Sequence, residues 1–592
     1  MKKTQIIERP YAESDYLNAL KLGVTDLQAR LIARRVFDPS TESLSIEQLD
    51  AIVFPKLKHI QHPNELKNSQ QAAQIIADAV QSSGKIVLAT DYDTDGVTSA
   101  WVATTALVQY FGVSQERIVH MIGERKNGYG ITDAMCDAIL AIPDPVDIVI
   151  SADQGSSDEP RIQRLAQAGI QVCVTDHHQM TVEGAPPSAT CTVNPQQAEC
   201  QYDKTVAGCF VIFLVMGQVR NELIQRGVLP ETTPTLKDLA LNVALGTIAD
   251  SVSLKSHNNR AIVAFGLSQI NQFQNPAWQA MRLMNNNNEA PFNAEYLGFQ
   301  VATRINAASR VSDVTTAFRF LNAPSVEEAQ AYLAQLDADN QDRREQQQSM
   351  LEQAQNLAKA LYHPKKYSLA IKMQGNAGIQ GIIASRIGEQ YGVPTLAMTE
   401  LEDGTLAGSG RGIVPSVDLR LAFQWMSEQH EGLFISMGGH KGAAGCMIQL
   451  QDFERFAELL EIAIKNQLGD DSPIPTIETD GELADHELTT ALMDEINLLE
   501  PFGREWPQPT FSGHFRVIDI REVGQTKTHL SMKLKTQNGL ILSAIFFNAK
   551  TSEQEETPFS VDQQIQCAYQ PSLNHYFGKT SLQLKIQAAT LS

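Results

Sequence analysis

Val87-Leu88-Ala89-Thr90-Asp91-Tyr92-Asp93-Thr94-Asp95-Gly96 decides how the rest of the chain is read. An apolar run with the character of a buried strand stops abruptly in alternate aspartates and a glycine. Carboxylates this close repel one another unless cations hold them, and hard divalent cations take oxygen ligands. Ligands of α/β proteins bind beyond the carboxyl ends of the strands, so the stretch predicts acids at the mouth of a sheet. A short acidic motif by itself is more often a solvated turn. Three further segments, however, end the same way. Val146–Ala152 runs into Asp153, residues 169–175 run into Asp176, His177 and His178, and residues 241–249, read as helical, run into Asp250. Four such segments in order, separated by helix-length stretches, look like ligands converging on one cluster.

Outward from these motifs, strands and helices alternate over residues 76–325, which predicts a parallel sheet with helices on both faces. Residues 1–75 read as a polar helical cap, with a basic amphipathic segment at 27–36. Residues 326–365 form a connection in which the charged, helix-favouring stretch up to 361 contains no Pro or Gly, so a long helix is expected to join two domains. A second α/β region follows at 366–466. Asp470-Asp471-Ser472-Pro473-Ile474-Pro475 marks a linker, and the remainder of 467–592 has the short alternating segments of an all-β unit (515–520, 530–535, 582–586). The asparagines at 285–288 read as a loop.

Hydrophobic and charged contents of 43% and 19% are ordinary for globular proteins and agree with a large soluble enzyme. Residues 1–10 lack the apolar core of a secretory signal. The longest apolar run, 206–216, falls short of the ~20 residues of a membrane span and reads as a core helix. Seven cysteines without CxxC spacing are expected to be reduced thiols of a cytoplasmic protein, neither a disulfide framework nor a zinc site.

With Asp176-His177-His178 behind the earlier acids, the sequence resembles the DHH phosphoesterase superfamily, and most closely its single-strand-specific exonucleases. The resemblance continues through Asn127-Gly128-Tyr129-Gly130, residues 244–250, 304–310 and 381–386, Gly408-Ser409-Gly410-Arg411, Gly438-Gly439-His440 and Leu499-Glu500-Pro501-Phe502-Gly503, in the family's order. It implies an α/β fold: a parallel-sheet DHH domain, a second α/β domain of the DHHA1 type joined by the long helix, and a C-terminal OB-type β-barrel. It also implies two divalent cations held by Asp91, Asp93, Asp95, Asp153, His177 and Asp250, with Asp153 bridging both. Related phosphoesterases carry a histidine where this chain has Ala89, and Asp91 is expected to take over its role. An imidazole among the ligands favours Mn²⁺, with Mg²⁺ possible. Asp176 would orient an imidazole, and His178 would contact phosphate or protonate the leaving group. These seven residues, Asp93, Asp95, Asp153, Asp176, His177, His178 and Asp250, form the expected catalytic set.

For substrate, the resemblance points to Ser409 and Arg411 in a phosphate-gripping loop, where small residues admit backbone N–H groups and Arg adds a forked donor. Gly439 permits close backbone approach beside His440, a candidate phosphate contact. Arg125 is a candidate for a terminal phosphate. Arg304 and Arg310 flank Asn306, and at least one of the two arginines is expected in the cleft. Phe546, Phe547, Tyr569, Tyr576 and Phe577 are aromatics of which no more than two are expected to stack on bases. The net charge of −21 opposes a broadly basic surface. Cations bound by the acids cancel part of it locally, and Arg125, Lys126, Arg304, Arg310, Arg386, Arg411 and Lys441 sit inside the motifs. A local basic groove with salt-sensitive binding is therefore expected. Ala89, Gln154 and Ser309 depart from the family pattern but leave every principal acid in place.

The activity implied is metal-dependent 5′→3′ hydrolysis of single-stranded DNA to mononucleotides in repair and recombination. Polarity and DNA preference rest on the resemblance alone. A phosphodiesterase for short oligoribonucleotides or cyclic dinucleotides is the nearest alternative, and a non-catalytic DHH scaffold at replication forks is the alternative of another class. Expected partners are single-stranded DNA, a single-strand-binding protein and a helicase, with no membrane and a monomeric state.

Overall fold

The computed structural model describes residues 4–285, 290–550, 552–576 and 579–591. The asparagine loop beyond Asn285, the Tyr576 side chain and Phe577 lie outside that description. The first sheet has the spatial order Ile118–Ile122, Lys85–Thr90, Val146–Ala152, Gln171–Thr175, Cys191–Val193, all parallel. Both of its faces are covered, which is why its strands read as continuous apolar runs. Val87, Ala89, Val149 and Val174 pack with Ile131, Ile139 and Ile162 on one side. Leu88, Ile150 and Cys173 join the large core on the other, beneath the helices Thr94–Thr105 and Gly208–Gln225. The chain leaves Lys85–Thr90 for one neighbour and returns to the other. Strand order therefore reverses between Lys85–Thr90 and Val146–Ala152, and such a switch point opens a crevice at the strands' carboxyl ends. Residues 241–249 are helical, as expected, within Ala240–Ala249.

The helix Val326–Leu361 belongs to two cores. Ala329, Leu333 and Leu336 are buried in the first domain, and Met350, Ala354 and Ala358 in the second. Between Asn340 and Met350 no residue of the helix is buried. The second domain pairs Leu369–Met373 and Thr395–Glu400 in parallel, then adds Thr405–Arg411, Ala443–Gln449 and Ser436–His440 antiparallel. Gln380–Tyr391 packs on one face of this sheet, and Leu419–Gln429 with Phe453–Leu468 on the other. Phe511–Val523, His529–Lys535, Ile541–Phe546, Lys579–Leu591 and Gln564–Tyr576 close the C-terminal barrel. Tyr569 is buried inside it, whereas Phe547 is half exposed at the end of its strand, edge-on to His529. Among the described residues no helix is long and apolar enough to cross a membrane. All seven cysteines are buried and free.

One expectation is corrected. The N-terminal segment is not wholly helical: Gln5–Glu8 is a strand, paired in parallel with Thr476–Thr479 just after the linker. Its partner lies too far along the chain for local periodicity to reveal. Behind it the Arg35 guanidinium, fully buried, meets both Asp480 carboxylate oxygens at 3.0 and 3.1 Å and donates to the Pro507 carbonyl. The N-terminal helices are thereby fastened to the segment that enters the barrel.

Candidate metal centre and substrate cleft

Asp91 and Asp153 follow the two strands that flank the switch point. Asp93 caps the helix Thr94–Thr105, accepting the Asp95 and Gly96 N–H groups at 2.9 and 3.2 Å. These are first-turn donors with no partner inside the helix. Gly96 is required there, because a Cβ would lie 2.2 Å from the Asp91 carbonyl oxygen. Asp95 is held by a different helix, accepting the Gly208 and Cys209 N–H groups at 2.7 and 2.9 Å. Asp153 adopts φ 63°, uncommon for a residue with a side chain. Its Oδ1 lies 3.1 Å from His177 Nε2, while Asp250 Oδ2 and Asp95 Oδ2 lie 3.6 and 3.8 Å from the same nitrogen. Three overlapping groups result: Asp91, Asp93 and Asp153; Asp95, His177 and Asp250; Asp153, His177 and His178. Within each, the ligand atoms lie inside 4.8 Å of one another.

These residues fit cations. Asp91 Oδ1, Asp153 Oδ1 and His177 Nε2 are buried and, among the described residues, without a hydrogen-bond partner. Burial, then Asp93, pushes the Asp91 carboxyl up to about 8. Burial followed by Asp95 raises Asp93, Asp153 and Asp250 as well. Burial pushes the His177 imidazole down, which leaves it neutral with a lone pair to give. Acceptors packed against acceptors are what a site for divalent metal looks like before charge is supplied.

Beside this cluster Asp176 is buried and accepts the Ser156, His177 and His178 N–H groups at 3.0, 2.7 and 3.1 Å. Burial would raise its carboxyl, but the hydrogen bond and charge of His178 hold it below the usual carboxylate range. Burial would lower the His178 imidazole, yet Asp176 at 2.8 Å outweighs it and the ring reaches about 9. Asp176 thus favours the protonated ring, and the His178 side chain is 42% exposed. Tyr129 belongs to one of the sequence motifs, but the motif does not single it out. Its hydroxyl donates to the Asp153 carbonyl at 2.9 Å and lies 2.8 Å from His178 Nδ1. Gln154 is buried, its amide nitrogen 3.7 Å from the Met135 sulfur.

The substrate candidates separate into those the fold gathers and those it does not. The Arg125 guanidinium stacks 4.3 Å over Tyr92, and its buried Nε has no partner among the described residues. Burial, then the charge of Arg125, lowers Arg310 to about 10, so two cations face each other. Both lie against the turn before Gln380–Tyr391: a Cβ on Gly378 would meet Arg310 Cγ at 3.5 Å and Arg125 Cδ at 3.6 Å. One turn on, a Cβ at Gly381 would strike Arg411 Nη2 at 2.6 Å and Ser409 Oγ at 3.1 Å. Arg125, Arg310, Ser409 and Arg411 thus surround one helix start across the domain boundary. Gly439 has φ 142°, and a Cβ there would sit 2.4 Å from the Ala443 carbonyl oxygen, so only glycine fits beside exposed His440.

Arg304 is elsewhere. It donates to Asp337 of the long helix at 2.9 Å and pairs with the Gln300 carbonyl, which fastens that helix instead of facing the cleft. Asn306 Oδ1 accepts from the Thr94 N–H and hydroxyl, both at 2.9 Å, and so braces the helix that Asp93 caps. Lys126 pairs with Glu124 at 2.9 Å on the surface. Next to the metal cluster a cavity of about 540 Å³ is lined by Ser251, Phe299, Asn306, Phe502, Arg504 and, from the barrel, Gln570. Arg504 had no motif to announce it.

A switch-point parallel sheet whose strand ends gather carboxylates and an imidazole, with Ser409 and Arg411 of a second domain set against Arg125 and Arg310 of the first, defines a DHH-type phosphoesterase. Comparison with known proteins agrees: models of the DHH family N-terminal domain, the DHHA1 domain and the RecJ OB domain match residues 85–247, 365–466 and 479–588. The single-stranded-DNA-specific exonuclease RecJ of Haemophilus influenzae is 33% identical over 90% of this chain and 92% of its own. That of Dickeya dadantii is 30% identical over 99% and 98%. The chain belongs to the RecJ family. The fold also superposes on the crystal structure of RecJ in complex with Mn²⁺ from Thermus thermophilus, with a TM-score of 0.77 at 22% identity, covering 100% of this chain and 80% of that one. A crystal structure of exonuclease RecJ bound to manganese matches 67% of this chain and 94% of its own at 27% identity, with a TM-score of 0.55.

Proposed function

We propose that this protein is a metal-dependent exonuclease that hydrolyses single-stranded DNA from the 5′ end to mononucleotides, serving repair and recombination. The observation that carries the chemistry is the set of buried acceptors on Asp91, Asp153 and His177 at the switch point that lack a hydrogen-bond partner among the described residues. The substrate class comes from the family. Asp91, Asp93, Asp95, Asp153, His177 and Asp250 would hold two divalent cations, Mn²⁺ favoured by the imidazole and Mg²⁺ accepted. When bound, such ions lower the pKa of water and neutralise phosphoryl charge.

The chain's own groups supply the rest. His178, protonated and oriented by Asp176 and Tyr129, donates a proton to the leaving oxygen. Arg125, Arg310, Ser409 and Arg411 surround the terminal phosphate, and burial among like charges makes an anion there strongly favourable. His440 extends the phosphate contacts along the strand. The barrel gives a long strand a surface beyond the cleft, which short oligoribonucleotides or cyclic dinucleotides would not need. A scaffold role would require lost ligands, and every acid is present. We read the protein as a cytoplasmic monomer, with a helicase and a single-strand-binding protein supplying its substrate.

The test is Mn²⁺-dependent digestion of a 5′-labelled single strand, a 3′-labelled one, a blunt duplex and a short RNA. Immediate release of labelled mononucleotide from the 5′-labelled single strand alone is expected. Cleavage of the short RNA alone would move the protein to the oligonucleotide phosphodiesterases.

A further inference from the structure

Residues 503–506 form a tight turn between the metal domain and the barrel. The Gly503 and Trp506 backbones bond reciprocally at 3.0 and 3.2 Å, and Glu505 at the tip takes φ 60°. The turn is pinned from behind. Trp506 is fully buried and donates from Nε1 to the Leu499 carbonyl at 2.8 Å. The buried Arg260 guanidinium stacks 4.3 Å over the indole and donates to the carbonyls of Leu499, Glu500 and Pro501. The Arg504 carbonyl accepts the Leu254 N–H at 2.9 Å. So firm a mount for one exposed side chain is itself informative.

The side chain on that mount is barely engaged by protein. Arg504 reaches the Ser251 carbonyl at 3.5 Å and Glu505 at 4.0 Å, both at the limit of contact, and is 54% exposed. A guanidinium carries five N–H donors, so most of its hydrogen-bonding capacity is open. It stands on the rim of the cavity that runs from Ser251 and Asn306, beside the metal cluster, to Gln570 of the barrel. It bears on more than the turn it stands on. Its contact at the Ser251 carbonyl places it one residue from Asp250 of the metal cluster. Burial and then Arg504 push the His440 imidazole down. Ser251 and Asn306 of the metal domain, Arg504 of the turn and Gln570 of the barrel therefore share one cavity. Arg125, Arg310 and Arg411 gather separately, around the start of Gln380–Tyr391.

We propose that Arg504 is a substrate-positioning residue that binds a backbone phosphate on the 3′ side of the scissile bond, where the strand leaves the metal centre for the barrel. This rests on the 5′→3′ exonuclease reading. A strand held by its terminal phosphate at the Arg125–Arg411 cluster and extending to the barrel must cross the cavity that Arg504 overlooks. The apolar walls at Phe299 and Phe502 suit the bases, and the guanidinium suits the phosphate.

The experiment compares Arg504→Ala and Arg504→Lys with the unaltered protein on a 5′-phosphorylated 20-nucleotide strand, across a salt series, with thermal unfolding as the check on folding. Arg504→Ala should raise KM about tenfold, as for loss of a charged hydrogen bond, with kcat within about twofold. The slope of log(kcat/KM) against log salt should become shallower by about 0.7, the value for one phosphate contact on a single strand. Arg504→Lys should restore the slope and part of the KM. Unchanged KM and slope would overturn the proposal, as would a fall in kcat alone, which would make Arg504 an influence on Asp250 instead. Should the unaltered protein not digest the strand from its 5′ end, the exonuclease reading fails, and that result is distinct from either.

Discussion

The alternate aspartates of residues 91–95 are not equivalent. Asp91 has a buried oxygen without a partner among the described residues, Asp93 gives one oxygen to its own helix, and Asp95 is anchored by another helix. Asp93→Ala should abolish hydrolysis while leaving single-strand binding largely intact, measured by digestion and by fluorescence anisotropy; full retained activity would sink the metal centre. Gly208→Ala tests the cradle from its other wall. Its Cβ would lie 2.5 Å from Asp153 Oδ1, and displacing that carboxylate should weaken Mn²⁺ binding by about 10–100-fold, as for other groups that orient ligands. Calorimetric titration with Mn²⁺ reads this directly. Tyr129→Phe should lower the rate by a similar factor of about 10–100 with Mn²⁺ affinity retained, since it releases His178 and touches Asp153 only through its carbonyl. The acids were legible because each ends an apolar segment. Tyr129 was not, because its reach to Asp153 depends on sheet order. Arg304 and Arg310 could not be told apart by motif. Six residues apart on one helix they face different ways, one to Asp337 and the other to Arg125.

Among the elements, the helix Val326–Leu361 is the clearest case of sequence dictating structure: no breaker interrupts it, and Ser325 caps it by accepting the Glu328 N–H at 3.2 Å. Its composition did not show that it would enter two cores while leaving its middle unburied, because that depends on what each half meets. Glu345→Pro in that middle should cost the helix about 3 kcal/mol and break the register between domains. Digestion of long strands should collapse, while hydrolysis of a small activated phosphodiester, which needs only the metal centre, should persist. Parallel loss of both activities would mean that the second domain shapes the metal site itself. The barrel was legible as alternating segments, but their closure was not. It depends on the parallel pairing of Ile541–Phe546 with Lys579–Leu591, across the intervening Gln564–Tyr576.

At the scale of the whole molecule, the feature that local patterns could not show is the fastening of residues 5–35 to the segment entering the barrel. Arg35 and Asp480 are both fully buried. Removing one partner of a buried pair costs about 3–5 kcal/mol, and less here, because Arg9 at 3.2 Å and the Thr510 N–H at 3.0 Å still meet Asp480. Arg35→Met should therefore lower the denaturant midpoint and expose the N-terminal helices to protease. An unchanged midpoint and digestion pattern would show that the strand pairing alone holds them. The same fastening sets an order of events in the making of the protein. Arg9 and Asp480 are 471 residues apart in the chain, and at about 5–20 residues per second the ribosome takes roughly half a minute to a minute and a half to travel between them. Throughout that interval the first strand and the basic helix behind it stand without their counterpart. A nascent chain is thus unpaired at its beginning until residues 476–480 emerge, and a product truncated before them keeps the edge of its first strand open.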